Sequence, residues 1–219
     1  MARRPELPHP PRISPPDLPP LVDVARGLQP RAEYFQVRVE GLEDVTDAAH
    51  AILTECTVAA ASVSRLDIAG ATLVDVAIDD LRAAVVSGRG SRLRRVRLTG
   101  GRIGTLDLSA AEVDEVELRG VRIDYLSLGA AKVEDLLISD CTITTVDLPQ
   151  ATLSRVRFLG SRADEVDTRG MRAENLDLRG LDAASYLDAA ALRGATLTSW
   201  QVEQLAAALA VSLGIDVRD

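Results

Sequence analysis

Two cysteines and two histidines are the side chains whose chemistry would matter most if they met, as a thiolate with its base or as zinc ligands. Cys56 and Cys141 lie far apart in the chain, and so do His9 and His50. No nucleophile-elbow, P-loop or dinucleotide-binding glycine motif accompanies them. The sequence therefore predicts no catalytic residue, no cofactor and no metal site, and we expect the protein not to be an enzyme.

Charged side chains are the second group with functional potential, and their balance is acidic. Lys and Arg number 25 against 33 Asp and Glu, which leaves a net charge of −8. This sign opposes binding to a phosphate backbone, so we expect no direct contact with nucleic acid. No apolar run is long enough to span a membrane, and residues 1–20 are rich in proline rather than patterned as a secretion signal. We expect a soluble, cytoplasmic protein that does not bind membranes.

A period of five residues organises the middle of the chain. From Cys56, residues 56–185 divide without interruption into 26 blocks such as ATLVD, VRIDY and ATLSR. The third position holds Val, Ile, Leu or Phe in 20 of the 26 blocks, and the first position never carries a charge. A helix cannot align a period of five on one face, whereas positions one and three of a strand point the same way. Each block therefore predicts a three-residue strand followed by a corner.

A second period, of 20 residues, groups four blocks into one coil. Small first-position residues recur at Ala71, Ser91, Ala111, Ala131 and Ala151, and large ones recur at the same spacing from Leu66 to Val166. Fifth-position residues suited to a positive φ also recur every 20 residues, at Asp80, Gly100, Gly120, Asp140, Gly160 and Gly180. The sequence thus predicts an all-β solenoid with an aliphatic interior. Cys56 and Cys141 take first positions, which predicts two buried thiols too far apart for a disulfide.

The same register aligns charged residues on the outside of the rod. One row, the acidic stripe, consists of Asp67, Asp107, Asp147 and Asp167, interleaved with Ser87 and Ser127. The basic stripe lies on the preceding face and consists of Arg82, Arg102, Arg122 and Arg162, with Thr142 in the same row. More acids occupy turn positions of a third face, where Arg94 and Arg95 interrupt them. The two stripes either keep the rod soluble or form its contact with a partner.

The ends of the rod differ from its middle. Residues 1–20 form a proline-rich arm, which is either a tether or a segment that docks on a partner or on the rod itself. Residues 21–50 form an irregular N-terminal cap, and residues 51–197 form the repeat region. Residues 198–219 form a capping helix and tail, with Thr198 and Gln201 as a capping box. Its apolar stripe, Trp200, Leu205, Leu209 and Leu213, covers the last coil or joins two copies.

These blocks resemble those of the pentapeptide-repeat proteins, best of all in ATLVD, ATLSR, LDLRG and AALRG. The resemblance implies a right-handed quadrilateral β-helix of pentapeptide repeats, four per coil, with a C-terminal capping α-helix. It also implies a function, because quinolone-resistance members imitate B-form DNA and bind DNA gyrase in its place. By this resemblance the chain would be a DNA mimic that binds gyrase in resistance or self-protection, with the acidic stripe as the contact. It would form a homodimer through its C-terminal helix. The alternative is a protein-interaction scaffold that binds another partner.

Overall fold

The computed structural model describes residues 7–21 and 23–218; residues 1–6, Val22 and Asp219 lie outside that part. The backbone winds into a solenoid of parallel strands, most of which pair with the strand 20 residues later. Arg102, for example, lies beside Arg82 on one side and Arg122 on the other. This register is the coil of four pentapeptides, so the predicted all-β solenoid with one C-terminal helix is confirmed.

Two parallel sheets run along the rod. In the 11-stranded sheet, β2 (Glu33–Phe35) pairs with β5, and the other strands stack as β1 (Asp23–Arg26), β3 (Val37–Glu40), β5 (Ile52–Val58), β7 (Thr72–Asp79), β9 (Arg92–Thr99), β11 (Glu112–Arg119), β13 (Lys132–Ser139), β15 (Thr152–Leu159), β17 (Arg172–Asp177) and β19 (Ala195–Thr196). The eight-stranded sheet stacks β4 (Val45–Asp47), β6 (Ser62–Asp67), β8 (Arg82–Ser87), β10 (Arg102–Asp107), β12 (Arg122–Ser127), β14 (Thr142–Asp147), β16 (Ser161–Asp167) and β18 (Leu181–Leu187).

The strands are longer than the three residues that the blocks predict. A strand such as β7 (Thr72–Asp79) covers two blocks, because only Asp75 at the corner leaves the ladder and pairing resumes at Val76. In the eight-stranded sheet the equivalent corner residue, for example Thr105, stays in the ladder. Each sheet therefore covers two neighbouring sides of the rod.

The interior is aliphatic, as the first and third positions predict. Ile103, Ile123 and Ile143 stack on successive coils and are at most 1% exposed. Cys56 and Cys141 are buried, free thiols, which confirms the interpretation of both. Removal from water raises the pKa of each thiol, so both stay protonated at neutral pH.

Most of the predicted fifth-position corners have a positive φ: Asp80 (50°), Gly100 (66°), Gly120 (63°), Asp140 (54°) and Gly160 (56°). Gly180 is not among the residues with positive φ, so that prediction is wrong for this corner. Glycine is required there for a different reason, since a Cβ on it would lie 2.4 Å from the carbonyl oxygen of Phe158. The preceding coil approaches too closely for any side chain.

The first coils are irregular. Strand β1 pairs with β3 at an offset of 14 residues, Asp23 with Val37, and β3 pairs with β5 at an offset of 19, Arg38 with Thr57. From β5 to β17 the offset is 20, and the last pair, β17 with β19, returns to 19. The segment 21–50 therefore joins the same ladders as the repeats, but with shorter coils.

The C-terminal helix α1 spans Ser199–Ser212 and begins as the sequence predicts. The Thr198 hydroxyl accepts a hydrogen bond from the Gln201 N–H, and the Gln201 side chain accepts one from the Thr198 N–H, which is a capping box. Gln201 is buried, and its Nε2 also donates to the carbonyl oxygens of Leu178 and Leu181, both at 2.8 Å. A short 3₁₀ helix, Ala189–Leu192, precedes α1. The helix therefore closes the last coil through hydrogen bonds from the Gln201 side chain to backbone carbonyls as well as through apolar contact.

The proline-rich arm docks on the rod. Its backbone N–H groups at His9, Arg12 and Asp17 donate to side chains of distant coils. Of the two readings of this segment, docking on the chain's own rod is the one observed for residues 7–21, while residues 1–6 of the predicted arm lie outside the described residues. In the described part of the chain, no helix has the length and hydropathy needed to cross a membrane.

Candidate functional site

The acidic stripe is brought together as its spacing predicts. Asp67, Ser87, Asp107, Ser127, Asp147 and Asp167 are paired in register across β6, β8, β10, β12, β14 and β16. The row sits at the carboxyl ends of these strands, just before the turn that leads to the next side of the rod. Neighbouring positions are one strand spacing apart, about 4.8 Å.

Turn geometry explains why this position favours aspartate and serine. Asp67 Oδ1 accepts the N–H of Ala69 at 3.0 Å, and Asp107 Oδ1 accepts the N–H of Ser109 at 2.9 Å. Ser127 Oγ lies 3.4 Å from the N–H of Gly129, in the same arrangement. Aspartate and serine both cap a turn in this way. These residues therefore support their own coils. Asp147 is followed by Pro149, which has no N–H, and it accepts the Ser127 hydroxyl at 3.1 Å instead.

The four carboxylates of the stripe differ in how far they are neutralised. Arg65 pairs with Asp67 at 3.0 Å, and Arg169 pairs with Asp167. Asp167 is only 3% exposed, and the hydrogen bond from Arg169 lowers the pKa of its carboxyl group despite burial. Asp107 and Asp147 form no ion pair with any described residue. The unbalanced negative charge of the stripe is therefore centred on these two residues.

Tyr125 is a residue of this face that the repeat pattern alone does not single out. It is exposed at the corner beside the stripe. Partial burial, followed by a hydrogen bond with Asp147 and then the charges of the stripe, raises the pKa of Tyr125. The signal for it in the sequence is weak: a single aromatic residue in the fifth position of a block, where turn residues prevail. It supplies an apolar contact surface and a hydroxyl donor next to the carboxylates.

The basic stripe lies on the same strands as the acidic stripe, at their amino ends. Arg82, Arg102, Arg122 and Arg162 are paired in register with Thr142 between the last two, and all five are exposed. Asp124 lies 3.4 Å from Arg102 and 4.0 Å from Arg122. Such exposed pairs contribute little to stability. The eight-stranded sheet thus carries a positive edge and a negative edge.

The apolar stripe of α1 separates into two surfaces. Leu205 is buried against the core and Leu209 is partly buried against it, so these two residues cover the last coil. Trp200 and Leu213 are 59% and 77% exposed, and the side chains of Val202, Val211, Ile215 and Val217 are exposed as well. Capping uses only Leu205 and Leu209 of the predicted stripe, and Trp200 and Leu213 are left exposed.

In the described part of the chain, no group of three His, Cys, Asp or Glu side chains is arranged to hold a metal ion. His9 belongs to the arm, and His50 lies in a turn with a φ of 60°. The two histidines and the two cysteines are therefore not brought together as one site.

Comparison with known proteins shows similarity to solved structures but not to characterised sequences. No family model matches the sequence, and no curated protein matches it. Among solved structures, the chain is similar to trypsin-treated QnrB1, a plasmid-mediated fluoroquinolone resistance protein. The two are 15% identical with a TM-score of 0.32, over 90% of this chain and 99% of that one. The fold assigned above rests on the strand register.

Proposed function

We propose that this rod of pentapeptide coils is a non-enzymatic binding protein that presents its acidic stripe to the basic DNA-binding surface of a type II topoisomerase, DNA gyrase. The observation that supports this proposal is the ladder of carboxylates in register on one side of the rod. Asp107 and Asp147, which form no ion pair among the described residues, are its centre. Tyr125 lies beside them and adds contact area.

The density of charge sets the expected strength of this contact. Asp67 and Asp167 are five coils apart, which is about 24 Å at the strand spacing. A DNA duplex of that length carries about 14 phosphates, whereas the stripe carries four carboxylates, two of them paired with arginine. We therefore expect binding that weakens with salt. It should engage one patch of the DNA-binding groove of gyrase rather than the whole length of that groove.

The test is inhibition of gyrase supercoiling by purified protein, with and without a fluoroquinolone. We expect inhibition or drug protection at micromolar protein. Replacement of Asp107 and Asp147 by serine removes two charges, and at position 107 it keeps a turn-capping oxygen, as Ser127 shows. This double variant should need about tenfold more protein for the same effect, since two charged contacts are lost.

The matched control is the double replacement of Asp79 and Asp164 by serine. Both residues are exposed and lie off the stripe, and the change in net charge is the same. The control should inhibit within about twofold of the wild type. If the stripe variant and the control behave alike, the acidic stripe is not the contact surface.

A second candidate function is supported by the basic stripe. Its four exposed arginines adjoin the acidic stripe on the same strands. A scaffold whose partner carries both positive and negative charges would use both edges of the sheet. Wild-type protein that leaves gyrase unaffected would favour this function. Capture of host proteins by the wild type, compared with a variant carrying Arg102→Ser and Arg122→Ser, would then show which partner needs the arginines.

We also propose that two copies associate through the apolar surface of α1 and the tail. Trp200 and Leu213 are exposed there, and an apolar surface of this kind is typical of an interface between subunits. Leu213→Asp should shift a dimer to monomer in sedimentation velocity, because it places a charge in the contact. Thr142→Asp adds the same charge on the side of the rod and should leave the dimer intact. A wild-type protein that sediments as a monomer at high micromolar concentration would contradict this proposal.

A further inference from the structure

One corner of the rod carries a row of non-glycine residues in left-handed conformation. This corner column consists of Asp75, Arg95, Glu115, Asp135, Arg155 and Asn175, with φ between 50° and 57°. Each follows a residue that is in register with its neighbours, such as Glu134 beside Ser154. The left-handed backbone of non-glycine residues is uncommon, and here it recurs on every coil.

The proline-rich arm lies along this corner column and contacts it through its backbone. The N–H groups of His9, Arg12 and Asp17 donate to Asn175 at 3.0 Å, Asp135 at 2.8 Å and Asp75 at 2.9 Å. The arm runs from the last coils toward the first, opposite to the growth of the rod. It therefore connects coils that are otherwise too far apart to touch.

The spacing of these contacts matches a polyproline II helix. From Asn175 to Asp135 is two coils, about 9.6 Å, and from His9 to Arg12 is three residues, about 9.3 Å at 3.1 Å per residue. From Asp135 to Asp75 is three coils, about 14.4 Å, and the five residues from Arg12 to Asp17 span about 15.5 Å. The spacing of the donors on the arm therefore matches the spacing of the acceptors on the column over the whole contact.

Two of the three contacts, those at Asp135 and Asp75, are built from the same units. On the column, Asp75 is paired with Arg95 at 2.6 Å and Asp135 is paired with Arg155 at 2.7 Å, each arginine coming from the next coil. In each pair the Oδ1 atom that accepts the arginine also accepts the N–H of the arm.

The arm repeats as well. Pro11-Arg12-Ile13 and Pro16-Asp17-Leu18 are five residues apart, and in both the middle residue is exposed while Ile13 or Leu18 is half-buried. Each unit therefore combines a proline, an N–H donor and a branched aliphatic side chain. The two arm units meet the two aspartate–arginine pairs in the same way.

We propose that the corner column is a peptide-docking site for a polyproline II segment with two Pro-x-Ile/Leu units, and that the chain's own N-terminal arm is its ligand. In each docking unit, a carboxylate held in place by an arginine accepts a backbone N–H of the arm. The half-buried aliphatic side chain of the arm provides the sequence specificity. Coils of a solenoid contact only their neighbours. The docked arm is a latch that joins coils from Asp75 to Asn175.

Trypsin cleavage after Arg12 in the full-length protein measures whether the arm is docked. A protease needs the segment released, and so the initial rate follows the fraction of undocked arm. Asp17→Pro removes the N–H that donates to Asp75, suits a polyproline II segment and leaves the Arg12–Ile13 bond unchanged. Asp17→Asn removes the same charge but keeps the N–H. We expect Asp17→Pro to raise the rate of appearance of the fragment that begins at Ile13 by about tenfold, with Asp17→Asn near the wild type.

The column is tested with Asp135→Ala against Asp140→Ala. Both positions are left-handed, with φ of 56° and 54°, and alanine already has this conformation at Ala110 and Ala130. The cost of backbone strain therefore cancels between the two variants, and only Asp135 contacts the arm. Asp135→Ala should raise cleavage after Arg12 about tenfold or more, while Asp140→Ala should not.

Circular dichroism and the rest of the tryptic pattern report whether the rod itself stays folded. Asp17→Pro lies entirely in the arm, so it tests docking even if Asp135→Ala destabilises the rod. Equal cleavage rates in Asp17→Pro and Asp17→Asn would overturn the proposal. So would rapid cleavage after Arg12 in the wild type, because it would show that the arm is not held.

Discussion

Replacement of Ile123 by lysine is expected to prevent folding. Ile123 is fully buried between Ile103 and Ile143 of the adjoining coils, and neither neighbour offers a polar partner. Removing a buried isoleucine side chain costs about 2–5 kcal/mol, and burying an unpaired ammonium adds several more. Since a domain of this kind is stable by about 5–15 kcal/mol, we expect insoluble protein or the loss of a cooperative thermal transition in circular dichroism.

The control for this experiment is the preceding residue. Arg122 points outward on the same strand, and Arg122→Lys should change the unfolding free energy by no more than about 0.5 kcal/mol. Soluble Ile123→Lys protein with a normal transition would show that Ile123 does not face the interior, and the register of all four sides would have to be reassigned.

Gly101→Ala is expected to have the second largest effect. Gly101 has a φ of 84°, and a Cβ on it would lie 2.2 Å from the carbonyl oxygen and 2.8 Å from the nitrogen of Leu81 in the preceding coil. The obstacle is backbone, so relief requires two coils to separate. We expect a loss of about 3 kcal/mol or more of unfolding free energy, measured by guanidinium denaturation.

Gly120→Ala is the control that measures the cost of a positive φ without a steric clash. Gly120 also has a positive φ, 63°, but nothing lies within 4 Å of the position of its Cβ. This substitution should cost only about 1 kcal/mol, the penalty for a left-handed alanine. If both variants lose the same amount, the close approach at Leu81 is not what requires glycine at position 101.

The coils could be predicted from the sequence because each feature repeats. Inward residues such as Ile103 and Ile123 recur at a fixed spacing, and a strand has only two faces, so the period of five leaves one register. The capping box at Thr198 and Gln201 is a local signal and was predictable for that reason. Gly180 shows the limit of such inference, since its position in the repeat indicates a positive φ while the actual constraint comes from the carbonyl oxygen of Phe158 one coil away.

The contacts of the arm could not be predicted, because they are neither periodic nor local. His9 and Asn175 are 166 residues apart, and the match depends on left-handed corners that turn the Asp75 and Asp135 carboxylates toward the arm. The recurrence of an aspartate followed one coil later by an arginine, at Asp75 and Arg95 and again at Asp135 and Arg155, is a signal only once the coil length is known. Likewise, the acidic stripe could be aligned from the sequence, but the ion pairs that neutralise Asp67 and Asp167 come from side-chain conformations.

The latch also sets an order of events during synthesis. The arm leaves the ribosome first, whereas its three acceptors are made in the sequence Asp75, Asp135 and Asn175. Of the three donors, Asp17 is the nearest in sequence to the repeats, and its acceptor is made first. Docking therefore proceeds from Asp17 toward His9 as coils are added. At about 5–20 residues per second, the arm waits about 10–30 s for its last acceptor. Completion of the latch thus reports that nearly every coil has been made.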